Sequence, residues 1–145
     1  MVVSRVEAAV ERFRAGCNCS QAILSAYGEA LGVDTATALR IACGFGGGMR
    51  LAETCGAVTG AIMVIGLRHG PVECADRAAK GETYRLTVEF SARYKARHGS
   101  VSCRDILGCD ISTPEGLRQA QEQNLFATRC PEMVREAALI LEQFV

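Results

Sequence analysis

No Cys-x-x-Cys pair occurs in this chain, so the thioredoxin arrangement, in which a neighbour in the same helical turn resolves a mixed disulfide, is excluded. No Cys-x-x-Cys-His occurs either, and covalent haem attachment has no support. Histidines number only two, and 16 basic residues are balanced by 16 acidic ones with no basic run. The electrostatic footprint of a nucleic-acid binder is therefore missing, and no nucleic-acid partner is expected. Nothing resembles a Ser-His-Asp set or a paired-carboxylate site. The most apolar run, Ala57 to Leu67, is too short to cross a bilayer, and the start, Met1-Val2-Val3-Ser4-Arg5-Val6-Glu7, turns charged at once, unlike a signal peptide. A soluble, cytoplasmic protein is expected, in a compartment where cysteines are normally kept reduced and disulfides tend to be catalytic or sensing.

Cysteine is what the chain has in plenty: eight in 145 residues. A chain of this length can bury a hydrophobic core without disulfide staples, so the cysteines need another explanation. Four of them, Cys19, Cys55, Cys103 and Cys130, fall where local sequence signals a helix start. Asn18 and Gln21 frame Cys19 as a capping box. Thr54 precedes Cys55, and Ser102 precedes Cys103 with Asp105 in the first turn. Cys130 stands before Pro131-Glu132, where proline is favoured at the first helical position. Unpaired N–H groups and the positive end of the helix dipole favour thiolate, which should bring each pKa from about 8.5 toward 7 or below.

The remaining pattern predicts an all-α, compact multi-helix bundle forming one domain over residues 1–145, without strands, repeats or dividing linkers. A first helix begins at a Ser4–Glu7 capping box, with Val3, Val6, Val10 and Phe13 on one face and a stop at Gly16. A second, Cys19 to about Leu31, should bury Ala22, Ile23, Ala26, Tyr27, Ala30 and Leu31. A third, roughly Thr35 to Cys43, leads into the glycine-rich segment Gly44 to Gly48. A fourth, Cys55 to about Arg68, is apolar nearly all round and is expected at the centre. The fifth, about Cys74 to His98, sets Tyr84, Val88, Ser91, Ala92 and Lys95 on one side and a charged stripe of Arg85, Glu89, Arg93 and Arg97, read as a solvated face, on another. A short helix from Cys103, one opened by Thr113-Pro114-Glu115, and a last one from Pro131 with Val134, Ala137, Ala138, Leu141 and Phe144 inward complete the bundle.

Other features read as structural. Arg68-His69-Gly70 and Arg97-His98-Gly99 are ordinary helix endings. The glycine segment lacks a preceding strand and a Gly-Lys-Ser/Thr ending, so an interhelical connection is favoured over a phosphate site. Gly56 and Gly60, one turn apart in a helix interior, each cost about 0.5–1 kcal/mol relative to alanine. Close approach of another backbone is the favoured compensation, and room for a cofactor or substrate beside Cys55 is the functional alternative. Cys43 and Cys74 read as packing residues. Cys17 and Cys109 lie near stronger candidates and could resolve a disulfide or replace a ligand.

The segments Asn18-Cys19-Ser20-Gln21-Ala22, Gly44-Phe45-Gly46-Gly47-Gly48-Met49, Cys55-Gly56-Ala57-Val58-Thr59-Gly60, Cys103-Arg104-Asp105-Ile106-Leu107-Gly108 and Cys130 resemble the C_GCAxxG_C_C family almost end to end. That resemblance implies redox activity through the four cysteines Cys19, Cys55, Cys103 and Cys130, and a gene neighbourhood that points to a redox or transporter-associated protein partner. Two chemistries stay open for these residues. They could cycle between dithiol and disulfide, or act as metal ligands holding an iron–sulfur cluster, since Cys₄ ligation serves both common cluster types. A metal- or sulfur-binding accessory module without catalysis is the other class of function, and a homodimer is left open.

Overall fold

The computed structural model describes residues 4–145; the expectation for Val3 falls outside them. Among the described residues every extended element is absent except one antiparallel bridge, Thr54 with Ser102, and the architecture is all-α. The helices are α1 (Arg5–Arg14), α2 (Cys19–Gly28), α3 (Thr35–Ala42), α4 (Gly56–His69), α5 (Arg77–His98), α6 (Cys103–Leu107), α7 (Pro114–Glu122), α8 (Leu125–Thr128) and α9 (Cys130–Leu141).

Helix α4 packs against α2, α5 and α9, and α1 closes against α2 and α9. Its residues Ala57, Ala61, Val64 and Ile65 are fully buried, meeting Ala22 and Ile23 of α2 and Val134, Ala137, Ala138 and Leu141 of α9 in the main core. A second, smaller apolar cluster gathers Ala52, Leu107, Ile111 and Ala120 with Cys103 and Cys109. Cys130 packs against both clusters. A seam between two cores is thus lined by sulfur.

Local starts follow their caps, with some displacement from expectation. Ser4 accepts from the Glu7 N–H at 3.1 Å, but the Glu7 carboxylate reaches across to Arg135 rather than closing a capping box. Helix α2 tightens into a 3₁₀ turn at Glu29–Leu31, which rotates Ala30 out to solvent while Leu31 stays half-buried. Helix α5 starts at Arg77 rather than near Cys74, because the Asp76 carboxylate caps the Ala79 N–H at 3.0 Å. Its inner face is Leu86, Phe90 and Tyr94, whereas Tyr84 and Val88 are 63% and 69% exposed. The charged stripe is indeed exposed, with Arg85 paired to Glu82 and Glu89. The short α8, entered through Asn124 in a left-handed conformation, was not foreseen. At the other end His69 Nε2 lies 2.6 Å from the Phe144 carbonyl, tying the end of α4 to the C-terminal turn.

Candidate functional site

Asn18 and Gln21 form the reciprocal capping box, with bonds of 2.9 and 3.0 Å, and this fixes Cys19 at the first position of α2. The same two side chains reach outward to the Cys43 and Leu39 carbonyls at 2.9 and 3.0 Å, which holds the following helix against the start of α2. Two glycines then let α2 lie directly on α4. A Cβ on Gly60 would stand 2.9 Å from the Ser20 carbonyl oxygen and 3.1 Å from the Ile23 Cβ, and one on Gly56 would stand 3.1 Å from the Cys19 Cβ. Their helix-propensity cost is offset by this backbone approach, and Cys19 comes to rest beside Cys55.

Cys55 itself, not Thr54, is the N-cap of α4. Thr54 is drawn into the bridge with Ser102, where the Cys55 N–H donates to the Val101 carbonyl at 2.7 Å and the Cys103 N–H donates to the Glu53 carbonyl at 2.6 Å. Two cysteines distant in sequence are thereby placed on adjoining backbone. Ser102 precedes α6 without capping it through its side chain; its hydroxyl donates to the Ala52 carbonyl at 3.4 Å. Cys130 opens α9, whose start is tied to α6 by a 3.0 Å bond from Arg129 Nη2 to the Ile106 carbonyl.

Cys19, Cys55 and Cys103 do not share one electrostatic environment, contrary to the lowering expected at helix starts. Cys55 is lowered to about 7. The largest cause is the Cys19 S–H donated to its sulfur; burial opposes, and the Ala57 N–H, the Tyr94 hydroxyl and the Val58 N–H assist. The Cys55 side chain closes no capping hydrogen bond of ordinary geometry, so these amides act as nearby positive dipoles. Tyr94 Oη lies 3.6 Å from Cys55 Sγ and is fully buried. Cys19 is raised well above the usual thiol value because its proton is held toward Cys130 and Cys55, with burial adding to the effect. Cys103 is pushed up to about 12, first by burial and then by the nearby Cys55 thiolate, with Arg50 pulling the other way. Desolvation can move a buried group by several units, far more than a helix end supplies.

Cys19, Cys55, Cys103 and Cys130 line one cavity of about 250 Å³, together with Cys17, Gly56, Arg50 and apolar walls that include Phe13, Ile106 and Phe126. Gly60 stands behind it in the α2–α4 contact. Cys109 lies buried in the smaller core, and Cys43 and Cys74 are exposed. All eight cysteines are free thiols. As placed, no three His, Cys, Asp or Glu side chains among the described residues form a group able to hold a metal ion. The donor set for a cluster is present in kind, as four cysteines around one cavity.

Two residues of the site escaped the sequence reading. Tyr94 was legible in principle, because Leu86, Phe90 and Tyr94 recur at four-residue steps as a buried helix face does. Arg50 was not, because its position depends on a left-handed backbone turn through Gly47, Gly48, Met49 and Arg50, with φ of 65, 64, 60 and 61°.

A family model described as "Putative redox-active protein (C_GCAxxG_C_C)" matches residues 17–144. No curated protein and no solved structure matches the chain.

Proposed function

The chain belongs to the C_GCAxxG_C_C family, and from that premise we propose that it is a thiol–disulfide redox protein in which Cys55 is the attacking thiolate and Cys19 the resolving thiol. One observation carries this reading: Cys19, Cys55 and Cys130 line one cavity, with Cys19 packed against Gly56 next to Cys55, and within that set Cys55 is the thiol lowered toward ambient pH. A thiol with a pKa near ambient pH combines thiolate fraction with nucleophilicity. Tyr94 and the Ala57 and Val58 amides hold the charge in place before reaction.

The Cys55 thiolate attacks one sulfur of a disulfide RS–SR. The RS–SR bond breaks, a Cys55–SR bond forms, and the departing RS⁻ takes the proton that Cys19 holds at the same spot. The Cys19 thiolate then attacks Cys55 Sγ and displaces the second RS⁻, which is protonated by water. Two protein thiols are oxidised to a Cys19–Cys55 disulfide and one external disulfide is reduced to two thiols. Attack by Cys130 on the Cys19 sulfur moves the bond to Cys19–Cys130, and an external dithiol run in reverse restores the reduced state.

In protein carrying Cys43→Ser and Cys74→Ser, which lacks the two exposed thiols, a small disulfide should yield a Cys19–Cys55 crosslink in peptide mapping with release of two thiols per crosslink, and adding Cys55→Ser should abolish that crosslink while leaving the helical circular dichroism unchanged. Protein purified without oxygen should be colourless between about 300 and 700 nm. A band there that bleaches with dithionite would overturn the disulfide reading in favour of an iron–sulfur cluster on Cys19, Cys55, Cys103 and Cys130.

A further inference from the structure

Arg50 is the one charged side chain among those lining the cysteine cavity. It enters none of the ion pairs found among the described residues. The residue is exposed, and its guanidinium reaches back over Gly47 at the mouth of the cavity. A Cβ at that glycine would stand 2.8 Å from Arg50 Nη1 and 3.0 Å from Ile111 Cδ1, so any larger residue there would push the guanidinium aside. The backbone that delivers it is costly. Met49 and Arg50 both take left-handed conformations, at about 1–2 kcal/mol for each non-glycine residue. The Glu53 N–H bond to the Gly48 carbonyl at 3.2 Å and the adjoining Thr54–Ser102 bridge hold the turn. Strain of this kind persists where the surroundings over-determine it, and it gathers at functional sites. Here its effect is to bring an uncompensated cation to the rim of a thiol-lined pocket.

The rest of the wall is apolar: Phe13, Ile106, Leu107, Ile111, Phe126 and Met133. Such walls accept a carbon skeleton and lower the local dielectric, which strengthens attraction between Arg50 and an anion. A volume of about 250 Å³ sits below the usual range of roughly 300–1,000 Å³ for drug-sized ligands, so the occupant is small. We propose that Arg50 forms the anion subsite of this pocket and selects small disulfides whose substituents carry a negative group such as a carboxylate. The inference rests on the thiol–disulfide reading and names its substrate class. With the anionic arm on Arg50, the disulfide carbon body lies along the apolar wall and its sulfur meets Cys55. The substrate is the oxidant: its S–S bond takes up the electron pair given by Cys55 and Cys19 and leaves as two thiols, each carrying its anionic arm.

The test compares two chromogenic disulfides, dithiobis-nitrobenzoate with a carboxylate on each ring and the uncharged dithiodipyridine. Stopped-flow rates are measured on reduced full-length protein carrying Cys43→Ser and Cys74→Ser, which removes the two exposed thiols. The Cys19–Cys55 crosslink is verified by mass spectrometry in each case. Arg50→Gln should lower the ratio of the anionic to the neutral rate about tenfold, the scale expected for one hydrogen-bonded charge partner. Arg50→Lys should restore part of it, and added salt should shrink the ratio only when the charge is present. A crosslink that forms with a rate ratio unmoved by Arg50→Gln overturns the anion subsite alone. Failure of both reagents to form the crosslink overturns the thiol–disulfide reading, and the substrate assignment falls with it.

Discussion

Cys19 and Cys103 each occupy the first position of a helix, yet both are held as thiols above their usual value. The magnitudes explain why. A helix end supplies about 0.3–1 kcal/mol to a nearby charge, less than the 1.36 kcal/mol that one pKa unit represents, whereas full burial can shift a thiol by three to five units. Cys55 escapes because several donors converge on its sulfur: the Cys19 S–H, two backbone amides and the Tyr94 hydroxyl. Alkylation of Cys55 by iodoacetamide, followed by peptide mass, should therefore rise with a midpoint at about pH 7. Tyr94→Phe removes a donor to the charged form, so its midpoint should move upward by about one pH unit. An unmoved midpoint would show that Tyr94 fills space without holding charge. His98 lies tilted against Tyr94 at 4.6 Å between ring centroids, and burial lowers its pKa, which favours the neutral imidazole beside the site.

Among the elements, the α2–α4 contact decides whether two cysteines meet. Gly56 and Gly60 face α2 with almost no free space, while Gly66 of the same helix has nothing within 4 Å of its would-be Cβ. This gives a paired prediction on one helix. Gly60→Ala should destabilise the protein by about 1–3 kcal/mol through overpacking, and by pushing α2 away it should slow formation of the Cys19–Cys55 crosslink. Gly66→Ala should stabilise by about 0.4–1 kcal/mol, since it restricts the unfolded chain without a native clash. Urea unfolding of the two variants checks both signs, and equal effects would remove the close-approach explanation. The bridge between Thr54 and Ser102 plays the corresponding part for Cys103, since the Cys55 and Cys103 amides donate to opposite strands of it.

For the whole molecule, the cysteines couple stability to pH in two opposite senses. Cys55 has a folded pKa of about 7, below the unfolded thiol value of about 8.5. Between these limits the unfolded chain binds the extra proton, so stability rises with pH and is fully present above about 8.5. Cys19 and Cys103 are raised, so above about 8.5 the folded state holds protons that the unfolded state has lost, and stability falls. Tyr27 and Tyr94, both raised by burial, add in the same sense above about 10. Thermal unfolding of the reduced protein should show a maximum near about pH 8.5, with a shallower alkaline decline in Cys103→Ala between about 8.5 and 10. A melting temperature still climbing above about pH 10 would contradict these proton assignments. No described helix is long and apolar enough to cross a membrane.

Much of that fold was legible along the chain. The Asn18–Gln21 capping box, the nearly all-apolar α4 and the inward face Val134, Ala137, Ala138 and Leu141 of α9 all depend on residues within a turn or two of one another, and the structure keeps them, with Phe144 buried from the turn that follows α9. The inner face of α5 and its start were misplaced, because the cap at Asp76 and the packing of Phe90 and Tyr94 on the core outweigh the spacing of Tyr84 and Val88. The sequence by itself determined that the fold is helical and that Cys19, Cys55, Cys103 and Cys130 stand at or beside helix starts, since the signals for a helix start are local. Only the tertiary structure decided which thiol is lowered, that Tyr94 stands beside it, and that the four cysteines and Arg50 line one cavity. Desolvation and the convergence of donors arise from residues far apart in the chain, and no local pattern encodes them.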